Sequence, residues 1–373
     1  MGNLVILCFI LVFMSGCSLN VSRSDGEEDI YKIAVAAPQF GPYKELGLSI
    51  VNGAELAVEL KNQNGGINNQ QIKLVKVDDG GLVGEGTWRA QNLVSEMILG
   101  VVGHLHSDIS IPASEIYSKA MIAEITPAST SPFFTERKPV QGYVFRTIGR
   151  DDEQGKEAAE FAKDKNFKKI AILYNNRSYG LSLASEFVKE IDENMKEADI
   201  VFYQMYEVDN KDYSREVIVL KQKSPDFIFF VGEYGDAARF LKKLRANGLN
   251  TAFLGSEAVL DKEFISSSNN ASEGAFVLSV PDISDKTFVQ KYKERFKKEI
   301  SAFSANSFDA TNILISAIEK AKEKNPEKVA KIIRETKDFP GVSGKITFDS
   351  KGDLANPHFS FYQVKSGMFV SIK

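Results

Sequence analysis

From residue 31 onward the apolar and polar positions switch between two periods. "YKIAVAAP" is a compact apolar run with β-branched residues and predicts a strand. "GLSIVNGAELAVELKNQNGG" sets Ile50, Ala54, Ala57 and Val58 at helical spacing and closes on Gly65 and Gly66, a C-terminal cap. "QIKLVKVDD" predicts a strand, "GTWRAQNLVSEMIL" a helix and "GVVGHL" a strand. "IPASEIYSKA" then predicts a short helix with Pro112 near its start, where proline is tolerated, and "MIAEIT" a strand. The rhythm resumes with "KKIAILYNN", "DIVFYQMY", "PDFIFFVG" and "TAFLGS" as strands. The helices between them are "YGLSLASEFVKEIDENM", "YSREVIVLKQK" and "GDAARFLKKLRANG". Helices dominate over roughly 285–300, 305–323 and 326–336, and "GKITFD", "HFSFYQV" and "MFVSI" end the chain as strand-like pieces.

Alternating strand and helix implies a parallel sheet with helices on both faces. Two such runs, broken near "RTIGRDDEQG", predict two doubly wound α/β lobes. In open parallel sheets, ligands sit beyond the carboxyl ends of the strands. "GHLHSD" (103–108) and "ITPAST" (125–130) both begin in strands and run into turns at that end, so they should be neighbours on one rim.

The N-terminus breaks the pattern. Residues 3–16, "NLVILCFILVFMSG", are continuously apolar but short for a membrane span, and polar "SLNVSRSDGEED" follows Cys17. This predicts a lipoprotein-type signal over 1–16, with small Ser15 and Gly16 before a lipidated Cys17, and a flexible tether over 17–29. Met14 and the lack of a basic residue before the apolar run depart from that pattern; an ordinary secretion signal or an anchor helix is the alternative. Cys8 would leave with the signal, and the single remaining cysteine then has no internal disulfide partner. Over all 373 residues, 43% hydrophobic and 26% charged residues describe an ordinary globular protein. A net charge of −4 without a dense basic block argues against nucleic acid; "RFKKEI" reads as the wet face of a helix.

Candidate chemistry concentrates in "GHLHSD". His104 and His106 share a strand face, but zinc takes three or four ligands and the chain offers only one further histidine, His358. Ser107 beside His106 is not a triad, and "GLSLAS" lacks the second glycine of a nucleophile elbow. "GGLVGEG" is neither a dinucleotide fingerprint nor a phosphate loop and reads as a loop opening a helix. No cofactor is implied. Ser107 at a strand-to-helix junction, Thr130 and backbone groups at Ala128 suit a carboxylate, because a helix start offers unpaired N–H groups. The same residues equally suit caps of local turns.

Taken together, "GHLHSD…IPASEIY…ITPAST", "GPYKELGLSIVNGAELAVE", "NQNGGINNQQIKLVKVDD" and "GKITFDSKGDL" resemble the leucine/isoleucine/valine-binding proteins of bacterial ABC importers, over nearly all of residues 31–365. The resemblance implies a type I periplasmic-binding fold, non-catalytic, whose lobes close on an amino acid around a hinge of three crossings. Lobe 1 would hold 30–149 plus 283–341, and lobe 2 would hold 150–282 plus 342–373. It implies a membrane-anchored extracytoplasmic protein with ABC permease subunits as partners, or a ligand-sensing receptor lipoprotein without transport. By the same resemblance Ser107, Ala128 and Thr130 hold the ligand carboxylate and Glu257 the ammonium, with Tyr179, Phe303 and Leu105 beside them. Two family tyrosines fall at Leu46 and at Glu233, or with a one-residue shift at Tyr234; the family's disulfide positions fall at Gly81 and His106. A carboxylate at Glu233 would favour a polar or cationic ligand.

Overall fold

The computed structural model describes Met1 and residues 30–372; the expected signal, the tether and Cys17 lie outside the described residues. Two sheets organise the chain. The first is parallel, in the order β2-β1-β3-β4-β5, with β1 Tyr31–Ala36, β2 Ile72–Val77, β3 Val101–Gly103, β4 Glu124–Thr126 and β5 Val144–Arg146. The second takes its parallel strands from β6 Lys169–Asn175, β7 Asp199–Tyr206, β8 Phe227–Val231, β9 Ala252–Gly255 and β10 Phe276–Ser279. A small hairpin, β11 Phe339–Gly341 and β12 Gly344–Ile346, stands apart. The second sheet is completed by antiparallel β13 Ser360–Lys365 and β14 Met368–Ser371.

Helices cover both faces of each sheet. In the first lobe these are α1 Lys44–Gln63, α2 Val83–Ser95, α3 Ser107–Lys119 and the short α4 Phe133–Glu136. The second lobe carries α5 Asp151–Asp164, α6 Ser178–Asn194, α7 Ser214–Lys223, α8 Tyr234–Ala246 and α9 Lys262–Ser267. The remaining helices, α10 Lys286–Phe296, α11 Ser304–Ala321 and α12 Pro326–Arg334, return to the first lobe through α11 packed on α1.

Strand β1 shows why the layers form. Ile33 and Val35 join the cluster holding Ile50, Ala54, Leu314 and Ile318, whereas Ala34 and Ala36 join Leu93, Ala113 and Tyr117. Successive side chains of a strand face opposite ways, so a strand apolar at every position must be covered twice. Each large aliphatic side chain so buried contributes about 1.5–3 kcal/mol. Gly53 lets α1 and α11 touch: a Cβ there would sit 2.3 Å from the Ser304 carbonyl oxygen.

The chain crosses between the sheets after β5, after β10 and after β12. Thr147–Gly149, Val280–Ile283 and Gly344–Thr347 from these three segments line one cavity, so the crossings run side by side. Asp309 of α11 accepts hydrogen bonds from the Val342 and Ser343 amides at 2.8 and 2.9 Å, tying the β11–β12 turn that leads into the third crossing to lobe 1.

Four elements differ from the expectation. Helix α3 starts at Ser107, not near Pro112, because the His106 carbonyl already accepts from the Ile109 and Ser110 amides. Pro112 thus lies inside the helix. Strands β5 and β10 and helix α5 carry no clear pattern: β5 is three residues long, and α5 opens on three acidic residues.

Candidate functional site

"GHLHSD" and "ITPAST" follow the adjacent parallel strands β3 and β4, and the two loops are laced together. Thr126 Oγ1 donates to the His104 carbonyl at 3.0 Å, and Ser110 and Ser129 hydroxyls share a 2.6 Å hydrogen bond. Arg146 at the end of β5 is fully buried and donates to the carbonyls of Ser129 and Ser131 at 2.8 and 2.9 Å. Its Nε pairs with Asp353 at 2.6 Å, and Arg150 reaches the same carboxylate at 2.7 Å. Burial works to raise the Asp353 pKa, but the two guanidiniums prevail and hold it below the usual range. The loop after β4 is therefore fixed by one buried cation–carboxylate group.

The facing wall is assembled by the same rule in lobe 2. Strands β6, β8 and β9 are neighbours, and their carboxyl ends lead to Tyr179, Glu233 and Glu257. A cavity between the lobes is lined by Leu46, Leu105, His106, Ser107, Ala128 and Phe303 from lobe 1 and by Tyr179, Glu233, Glu257 and Ala258 from lobe 2. Its volume is about 20 Å³, room for a water molecule or so, and admitting an amino acid takes an outward movement of one lobe. A larger cavity of about 300 Å³ beside the hinge, lined by residues such as Leu48, Asn52, Val280 and Tyr362, gathers none of these groups.

Eight of the ten residues expected at the ligand line this cavity. Thr130 and Tyr234 do not. Thr130 is buried behind the wall with its hydroxyl unpaired, and its carbonyl accepts from the Asp151 amide at 3.0 Å. Tyr234 opens α8 among Glu263, Asp261 and Glu45, so Glu233, not Tyr234, faces the cavity. The Ala128 amide is also engaged, donating to Thr126 Oγ1 at 3.2 Å.

Glu257 accepts a 2.9 Å hydrogen bond from the Tyr179 hydroxyl. Burial first, and then the Asp151 charge, push its carboxyl up to about 8. Asp151, the first residue of α5, is itself buried and pushed up to about 7. Glu233 accepts from Asn175 Nδ2 at 3.0 Å, and burial pushes it up to about 7 despite Arg177. Glu257 has no cation acting on it, and an approaching ammonium would supply that charge.

His104 is buried and satisfied, with Nδ1 2.7 Å from Asp79 and Nε2 3.3 Å from the Tyr117 hydroxyl. This is the hydrogen-bonded histidine at a strand end, and no group of three or more potential metal ligands occurs among the described residues. His106 was assigned no chemistry by sequence, yet it lines the cavity; so does Ala258. Asp151 also escaped notice, since nothing in "GRDDEQG" separates it from Asp152.

The periplasmic binding protein family matches residues 30–368. The leucine-, isoleucine-, valine-, threonine- and alanine-binding protein of Pseudomonas aeruginosa is 32% identical over 344 residues, 90% of each chain. The Leu/Ile/Val-binding protein of Citrobacter freundii is 31% identical over 94% of this chain and 95% of its own. Among solved structures, a leucine binding protein from Thermotoga maritima superposes with a TM-score of 0.84 at 26% identity, covering 92% of this chain and 98% of that one.

Proposed function

The chain belongs to the periplasmic binding protein family, whose members bind solutes outside the cytoplasm and are not enzymes, and we propose that it captures a free α-amino acid for an ABC-type importer. One observation carries this reading: Ser107 at a helix start on one lobe and Glu257 on the other line a single cavity. A zwitterion needs donors at one end and an anionic acceptor at the other, because a buried unpaired charge costs several kcal/mol. Ser107 and the first turn of α3 receive the carboxylate. Glu257, supported by Tyr179, receives the ammonium. Leu46, Leu105, Ala128 and Phe303 shape the space around the side chain, with Glu233 at its polar edge. Placing the two charged ends on different lobes couples binding to closure.

Two relatives named for binding leucine, isoleucine and valine, one of them also for threonine and alanine, support an amino acid as the substrate. The apolar run before Cys17 supports a lipid anchor, and delivery would be to permease subunits in the membrane. Titration calorimetry of the full chain against free amino acids and their N-acetyl and carboxamide derivatives tests the site. Free amino acids should bind and both blocked series should fail. Equal binding of the blocked forms would overturn it. Cys17→Ser should move the protein from the membrane fraction to the soluble one.

A further inference from the structure

One end of the cavity carries polar groups that zwitterion capture does not use. His106 is 5% exposed and lines the cavity, and neither ring nitrogen has a hydrogen-bond partner. Its Nε2 lies 3.8 Å from Glu233 Oε1, too far for a direct hydrogen bond. The other Glu233 oxygen is taken by Asn175. Tyr43 packs edge-on against His106 at 4.6 Å between ring centroids, and its hydroxyl is held by Arg177. A buried donor or acceptor left unmade costs about 1–3 kcal/mol, so the His106 ring is expected to meet a partner. Glu233 answers to Arg177 and Asp236, whereas Glu257 answers to Asp151, so the two carboxyl groups occupy separate surroundings.

We propose that His106 and Glu233 form a hydroxyl-reading subsite, which selects α-amino acids with a short hydroxylated side chain over their apolar isosteres. The inference rests on the amino-acid reading of the cavity. An oxygen about 2.9 Å from the nitrogen and about 2.7 Å from the carboxylate spans the 3.8 Å gap as the apex of a triangle. It must accept from the imidazole N–H and donate to the carboxylate. A hydroxyl does both and a methyl does neither. A carboxylate is repelled by Glu233, and a cation meets Arg177, which already neutralises that side. Burial and Arg177 hold the imidazole neutral, which keeps one N–H and one bare nitrogen.

The test is calorimetric, on the full chain, with two near-isosteric pairs: threonine against valine and serine against alanine. In the wild type the hydroxylated member should bind about tenfold or more tightly than its partner. In His106→Leu that ratio should fall towards one. A wild-type ratio of one or below overturns the subsite. A ratio that survives His106→Leu also overturns it, since the hydroxyl is then read by other groups. The wild-type comparison needs no variant to fold. Failure of all four to bind while another free amino acid binds overturns the subsite and leaves the amino-acid reading standing; failure of every free amino acid sinks both.

Discussion

Arg177 of lobe 2 donates to Asp108 of lobe 1 at 3.1 Å, and it lies over the Tyr43 ring with its guanidinium carbon 4.7 Å from the centroid. Its other nitrogen reaches the Gly81 carbonyl at 3.1 Å. One side chain thus spans the cleft beside the cavity, and burial nudges the Asp108 carboxyl up even though Arg177 pulls it down. The contact exists only while the lobes are shut, so it contributes to closure and not to either lobe alone.

Arg177→Ala should therefore shift the protein towards the open form. A partly buried pair of this kind contributes about 1 kcal/mol, and the amino-acid affinity should fall by about fivefold. Small-angle scattering of the ligand-free variant should give a larger radius of gyration than the wild type, with an unchanged circular dichroism spectrum. An unchanged radius would show that closure does not depend on the contact.

Glu257→Ala should weaken amino-acid binding by about 2–5 kcal/mol, because it leaves a desolvated ammonium without its acceptor. Tyr179→Phe, which removes only the supporting hydroxyl, should cost about 1 kcal/mol. Calorimetry that ranks Tyr179→Phe above Glu257→Ala would reassign the ammonium contact.

The pH response has a definite sign. Glu257 and Glu233 are raised from 4.5 to about 8 and about 7, and Asp151 from 3.8 to about 7. A carboxyl group raised in the folded state favours folding below its unfolded pKa, and that contribution is lost as pH climbs through the folded value. The ligand-free protein should thus melt at progressively lower temperature from about pH 4.5 to about pH 8. Glu257→Gln should flatten the upper part of that slope. A saturating amino acid should flatten it as well, since its ammonium compensates the ionised carboxylate. A ligand-free melting temperature that rises over this interval would contradict the burial of these groups.

Much of this arrangement was legible in the chain. The alternation from "YKIAVAAP" to "TAFLGS" marks the parallel strands because central ones such as β1 and β8 are apolar at nearly every position, and the rule that sites lie beyond strand ends pairs "GHLHSD" with "ITPAST". The second wall was reachable only through family resemblance, since "RSYG", "VGEYG" and "LGSEAV" show no chemical motif before their strands are laid side by side. The position of Thr130 was not legible: it lies two residues beyond Ala128, and whether it faces the cleft depends on how Arg146 pins that loop. Glu233 and Tyr234 differ by one position at a helix start, where one step turns a side chain from the cavity towards Glu263.

Asp353 gives the sharpest stability test, because it is not part of the cavity lining yet shapes its wall. Arg146 and Asp353 are separated by 207 positions in sequence and joined where both are buried, with Thr135 Oγ1 donating to the same carboxylate at 3.0 Å. Taking away one partner leaves the other buried and uncompensated, which costs about 3–5 kcal/mol. Asp353→Ala should lower the unfolding free energy by that amount, read as a reduced denaturant midpoint with an unchanged slope. If the mutant still folds, the freed Arg146 no longer holds the Ser129 and Ser131 carbonyls against a fixed point, so the loop carrying Ala128 should loosen. Amide exchange in residues 128–131 should speed up, and amino-acid affinity should drop although no substituted atom touches the ligand. Unaltered stability and exchange would mean that Arg146 finds solvent, and that its burial does not govern the loop.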